Sequence, residues 1–89
     1  MDKYLPIGTV VLLHEGDKTL MIYGRMQIHS ETNTAYDYVA CFYPEGNIGN
    51  EYSYLFNHDQ IRKVVFMGYI NEKEEDFLAI LEEENAGLL

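Results

Sequence analysis

Tryptophan is absent from this sequence, cysteine occurs once, proline twice, and only six side chains are basic. Each shortage excludes something. Cys41 has no second cysteine to pair with, so no internal disulfide framework can hold the fold, and a reducing compartment suits the chain. Six Lys and Arg against fifteen Asp and Glu leave a net charge of −9. A phosphate backbone repels such a surface unless a local basic patch offsets the field. The one adjacent basic pair, Arg62–Lys63, is too small for that, so nucleic acid is not an expected partner. No apolar run approaches the roughly 18 residues of a membrane span. The opening MDKYLPIG carries no apolar stretch of signal-peptide length. The expected location is cytoplasmic, with no membrane partner.

What is present fits one small domain over residues 1–89, with a strand-rich part at about 4–70 and an acidic helix at about 72–84. Apolar residues at 47% are too many for a disordered chain. Eight Tyr and four Phe lean the composition towards strands, where flat rings pack on a pleated surface. The charge is unevenly placed. Residues 1–70 hold five basic and eight acidic groups, a net of −3; residues 71–89 hold one and seven, a net of −6.

Thr9-Val-Val-Leu-Leu13 reads as a buried strand after Pro6 and Gly8. Glu15-Gly-Asp-Lys18 is a turn, and Thr19–Tyr23 is the returning strand of a hairpin, with room to continue through Met26 and Ile28. Gly24 marks a bulge or sharp bend. His29–Thr34 is a polar loop. Ala35–Tyr43 is a third strand, apolar on both sides and so expected to be covered on both, with the Tyr38, Ala40 and Phe42 face inward. Pro44–Asn50, with two Gly and two Asn, is a loop. Glu51–Phe56 alternates polar and aromatic residues, a fourth strand with Tyr52, Tyr54 and Phe56 on one side. Asn57–Gln60 is a capped turn, and Val64–Met67 a fifth strand ended by Gly68.

Asn71 then caps a helix whose first turns hold Glu72, Glu74, Glu75 and Asp76, where the dipole favours negative charge. Phe77, Leu78, Ile80 and Leu81 give it an apolar side, and Asn85 or Gly87 would end it. The predicted fold is therefore α+β, mainly β: a five-stranded bent antiparallel sheet or SH3-like barrel followed by one C-terminal helix.

The search for chemistry returns little. His14, His29 and His58 lack the spacing of a zinc pair and read as surface or turn residues. Cys41, flanked by Ala40 and Phe42, reads as a small buried hydrophobe, since a reactive thiol wants an electropositive, partly exposed setting. Asp37, Glu45 and Glu51 near the Gly-rich loop are the only candidates for a carboxylate enzyme, and nothing specifies the pocket that would separate their pKa values. Pro44–Asn50 matches no phosphate- or dinucleotide-binding loop. No cofactor, metal or catalytic residue is expected.

The positive signal is tyrosine. Tyr adds contact area and one hydrogen-bond handle at low entropy cost, and is enriched at protein interfaces. Tyr36, Tyr43, Tyr52 and Tyr54, with Glu45 in the intervening loop, are the expected partner-binding residues. The alternative is that these rings merely cover the outside of a thin sheet. The acidic helix likewise reads as a solvated face or as a docking surface for a basic partner. An unpaired sheet edge could also support a homodimer or accept a strand from a partner, and the sequence does not say which strand is the edge.

The segments YLPIGTVVLL, LMIYGR, YDYVACFYPEG and YLFNHDQIRKVVFMGY, in this order from Tyr4 to about Leu81, resemble one family. The Pro-Ile-Gly start, the loop from Tyr43 to Gly46 and Phe56-Asn57-His58 carry most of the likeness. It is a small domain-of-unknown-function family of Gram-positive bacteria, encoded beside LXG toxins of type VII secretion. The resemblance implies an accessory role, as an adaptor or chaperone-like factor that holds or delivers an LXG toxin or secretion component, with no catalytic residues. An immunity protein that blocks a toxin is the alternative within binding. A small hydrolase-like enzyme using the loop carboxylates is the alternative outside it.

Overall fold

The computed structural model describes residues 4–88, with side chains through residue 84; Met1 to Lys3, part of the segment read for a leader, lie outside the described residues. Five strands run β1 (Val10–Leu13), β2 (Leu20–His29), β3 (Thr34–Phe42), β4 (Tyr54–Phe56) and β5 (Ile61–Phe66), and helix α1 (Glu72–Leu88) follows. All pairings are antiparallel and the order across the sheet is β4-β3-β2-β1-β5. The first four strands form a meander and the fifth returns beside the first, which gives the expected five-stranded antiparallel sheet followed by one helix. β4 and β5 are the two ends of this sheet and are not paired with each other.

The sheet bends where the sequence marks it. The β2–β3 register shifts between Ile22 and Gly24, which leaves Tyr23 as the extra residue of a bulge. Glycine suits position 24, because a Cβ there would stand 2.6 Å from Val39 Cγ1 and force that side chain to shift. The bend brings Val11, Leu20, Ile22, Tyr38, Ala40 and Phe56 into one core, closed by Tyr4 and by Leu81 of α1. β3 is covered on both sides from Tyr38 to Cys41 as expected, and Cys41 is buried.

Four sequence expectations are corrected. The fourth strand is not Glu51–Phe56: Asn50–Tyr52 curls into a 3-10 turn, with Tyr52 N–H donating to Gly49 O and Ser53 N–H to Asn50 O, and only Tyr54–Phe56 pairs with β3. The fifth strand starts three residues earlier, at Ile61, because His58–Gln60 forms a 3-10 turn that delivers the chain straight to β1. The helix does not stop at Asn85 or Gly87 but runs to Leu88. Its buried stripe is not Phe77, Leu78, Ile80 and Leu81.

That last correction has a clear cause. Asn71 Oδ1 accepts from Glu74 N–H at 2.9 Å, the expected cap. Glu74 itself then turns inward. Its carboxylate takes a two-pronged ion pair from Arg25 on β2, at 2.5 and 2.9 Å, with the two side chains only 4% and 14% exposed. Glu74, Leu78 and Leu81 stand at i, i+4 and i+7, so the ion pair fixes which side of α1 faces the core. Phe77 and Ile80 are rotated outward and left about half exposed. No helix among the described residues is long and apolar enough to cross a membrane.

Candidate functional site

Two surfaces stand out, one at each margin of the sheet. The first continues the inner face beyond the core. Cross-strand partners point to one side, so Phe42, paired with Leu20, and Tyr54, paired with Ala40, line up with the buried Ile22 and Phe56. Near Phe42 the core opens into a groove of about 540 Å³, walled by Leu13, Leu20, Phe42, Tyr54, Leu55 and Phe56. His14, Glu15 and Lys18 of the β1–β2 turn and Asp59 and Gln60 of the second 3-10 turn also line it. The Phe42 ring lies 5.5 Å from Tyr54 and 6.5 Å from Tyr52, and Lys18 Nζ sits 5.8 Å over it.

The structure brings four of the five expected partner-binding residues to this end. Tyr54 lines the groove and Tyr52 flanks it through Phe42. Tyr43 is tied to the β2 side by its N–H to Thr19 O, and by its carbonyl to Thr19 Oγ1. Glu45 accepts from Lys18 at 2.7 Å, and that hydrogen bond holds its carboxyl below the usual range. Tyr43, Tyr52 and Tyr54 are all exposed. Tyr36 is not with them. It pairs with Gln27, six residues along β3 from Phe42, about 20 Å away at ~3.3 Å per residue.

The other chemistry-bearing residues serve the fold. Tyr38 is fully buried, with its hydroxyl 2.9 Å from Leu5 N–H and 2.8 Å from His58 Nδ1. His58 N–H donates to Asp37 Oδ2 at 2.8 Å, Asp37 N–H to Asn57 Oδ1 at 3.0 Å, and Asn57 N–H to Gln60 Oε1 at 2.8 Å. This chain of bonds fastens the 57–60 turn to β3. His58 is therefore a half-buried structural residue, not the plain turn residue the sequence suggested.

Burial pushes the Tyr38 phenol up to about 12, and Tyr4 is raised by the same cause. A phenol with a higher pKa folded than unfolded contributes stability that is complete below the unfolded value. That stability is lost as pH rises through the folded one. Urea midpoints are expected to be flat to pH 9 and to fall between about pH 10 and 12. In Tyr38→Phe the fall should be shallower, starting from a lower plateau, because Leu5 N–H and His58 Nδ1 lose their partner. An unchanged slope in that variant would contradict the assignment.

The second surface was missed by sequence reasoning. β5 and the residues after it read Val64-Val-Phe-Met-Gly-Tyr-Ile70, and all but Gly68 are exposed. Phe66 is 63% exposed and Tyr69 79%. Ile7 lies exposed in the segment whose carbonyl backs Gly68. An apolar run normally signals a buried strand, and the only sequence cue to the contrary is Arg62–Lys63 at its start.

The family model described as domain of unknown function (DUF4176) matches residues 4–77. No curated protein and no solved structure matches the chain.

Proposed function

We propose that this chain, which belongs to the DUF4176 family, is a non-enzymatic protein-binding domain. One observation carries this reading: the strip from Val64 to Ile70 presents six large apolar side chains to solvent. Monomeric soluble proteins rarely leave such contiguous apolar surface uncovered, and where it occurs it marks an interaction site. The aromatic groove around Phe42, Tyr52 and Tyr54 supports the same reading with interface-type residues. On the resemblance drawn from the sequence, the partner is an LXG toxin of type VII secretion, and the role is that of an adaptor or chaperone-like factor in the cytoplasm. The alternative, immunity, draws on the net charge of −9, which suits the basic active surface of a nuclease toxin.

Co-expression with the two halves of such a toxin separates these roles. Co-purification with the N-terminal targeting half is expected. Recovery with the C-terminal toxic half alone would replace adaptor by inhibitor, and recovery with neither would remove the toxin reading. The groove is tested beside it. Tyr52→Ser/Tyr54→Ser is expected to weaken the complex about tenfold or more, as interface tyrosines do, with the circular dichroism unchanged.

A further inference from the structure

We propose that β5 takes up an extended segment of a partner protein as a sixth strand, and that this segment is apolar with acidic side chains facing Arg62 and Lys63. The inference rests on the protein-binding reading above and gives its mode.

β5 ends the sheet and, among the described residues, pairs only with β1, so no described strand covers its outer row of N–H and C=O groups. Successive side chains of a strand point to opposite faces. Val64, opposite Val11, is 39% exposed and Phe66, opposite Val10, 63%, with Val65 the extra residue of a bulge between them, so neither face of the strand is covered. A docked helix would shield one face and leave the edge groups to water. An added strand satisfies the edge and extends both faces at once, with backbone bonds giving affinity and alternate side chains giving selectivity. Natural sheets blunt such edges with charge, proline, bulges or a covering element. Here the register with β1 shifts twice, leaving Arg62 and Val65 as the extra residues of bulges; the two charges stand only at the start of the strand, Val64 to Phe66 carry none, and α1 packs elsewhere, against Arg25 of β2.

Charge decides between occupants. Arg62 and Lys63 are exposed, and among the described residues neither forms an ion pair. They are the only adjacent basic pair in a chain of net charge −9. An acidic segment is repelled over most of this surface and attracted here. A second copy fits less well. It sets −9 against −9, and its β5, Ile61–Phe66, holds no acidic residue to meet the two cations.

A phage-displayed library of random twelve-residue peptides, panned against the full chain, tests this without knowing the partner. Enriched peptides are expected to alternate Val, Ile, Tyr or Phe with other residues and to carry Asp or Glu at one end. Their affinity should fall about tenfold or more in Phe66→Glu and in Arg62→Glu/Lys63→Glu, and should weaken with salt. Synthetic versions N-methylated at alternate residues should lose binding in one of the two phases, since the methyl group blocks strand pairing and leaves the side chains in place. No enrichment, enrichment of basic peptides, binding untouched by both β5 variants, or binding lost instead in Tyr54→Ser overturns the proposal. So does a homodimer that these β5 variants dissolve. A toxin half that still co-purifies with both β5 variants sinks this inference and leaves the protein-binding reading standing.

Discussion

Arg25→Ala is expected to cost the fold about 3–5 kcal/mol. The reason is what it leaves behind. Glu74 has a side chain only 14% exposed, and Arg25 supplies both hydrogen bonds that its carboxylate receives. Without the guanidinium, that charge is either buried alone or drags the start of α1 into water. The loss also takes the stacking of Arg25 on Phe77, at 5.6 Å, and the contact of Arg25 with Leu5 O. A domain of this size has a total stability of about 5–15 kcal/mol, and each kcal/mol moves Tm by about 4–8 °C. The melting temperature should therefore fall by more than about 10 °C. The apolar pair Arg25→Met/Glu74→Leu is the informative companion. Replacing both charges by side chains of similar size is often neutral or stabilising, so the double variant should recover most of the loss. If Arg25→Ala melts within about 3 °C of the parent, well under one kcal/mol, the ion pair does not hold the helix.

Gly68→Ala is the second large effect, expected at about 3 kcal/mol, the upper end of overpacking costs. Gly68 is buried just beyond β5, and its N–H donates to Thr9 Oγ1 at 3.0 Å. Thr9 is itself fully buried and donates the same hydroxyl to Pro6 O at 2.7 Å. The two segments are drawn so close that a Cβ on residue 68 would stand 2.2 Å from Ile7 O and 2.9 Å from Thr9 N. Both are backbone atoms, so no rotamer change relieves the clash, and the chain after β5 must move away. Gly16→Ala is the control, because nothing lies within 4 Å of a Cβ there. It should be neutral or stabilising by up to about 1 kcal/mol through the unfolded state. Equal urea midpoints for the two variants would show that the close approach at Gly68 is not a constraint.

These two positions mark the limit of what sequence reasoning reached. The strand boundaries of β1, the bulge at Gly24 and the Asn71 cap were legible, because each is set by residues near one another in the chain. Tyr38 and Phe56 followed from the two-residue period. Arg25–Glu74 lies 49 residues apart and Thr9–Gly68 59 apart, and no local pattern announces either. The helix shows the consequence. By apolar spacing alone Phe77 and Ile80 belong to its inner side, and a distant arginine rotates them out.

The candidate site divides in the same way. Tyr43, Glu45, Tyr52 and Tyr54 were chosen for their residue types, and the fold gathers them at the groove because they flank one connection between adjacent strands. Tyr36 was chosen on the same grounds and lies at the far end of β3. The strip from Val64 to Ile70 escaped notice for the opposite reason. Its composition is that of a core strand, and exposure belongs to the sheet order, which among the described residues leaves β5 with one neighbour and its faces open.

By itself, then, the amino-acid order determined the parts: five strands and a helix, their turns, a chain without disulfide or basic patch, and an acidic end. Those follow from periodicity, backbone preference and charge, which act over a few residues. Only the tertiary structure decided which tyrosines meet, which way α1 faces and that the apolar run after Lys63 lies at an open edge. Those depend on long-range pairing, where one buried ion pair or one backbone contact outweighs the local preference of the residues it displaces.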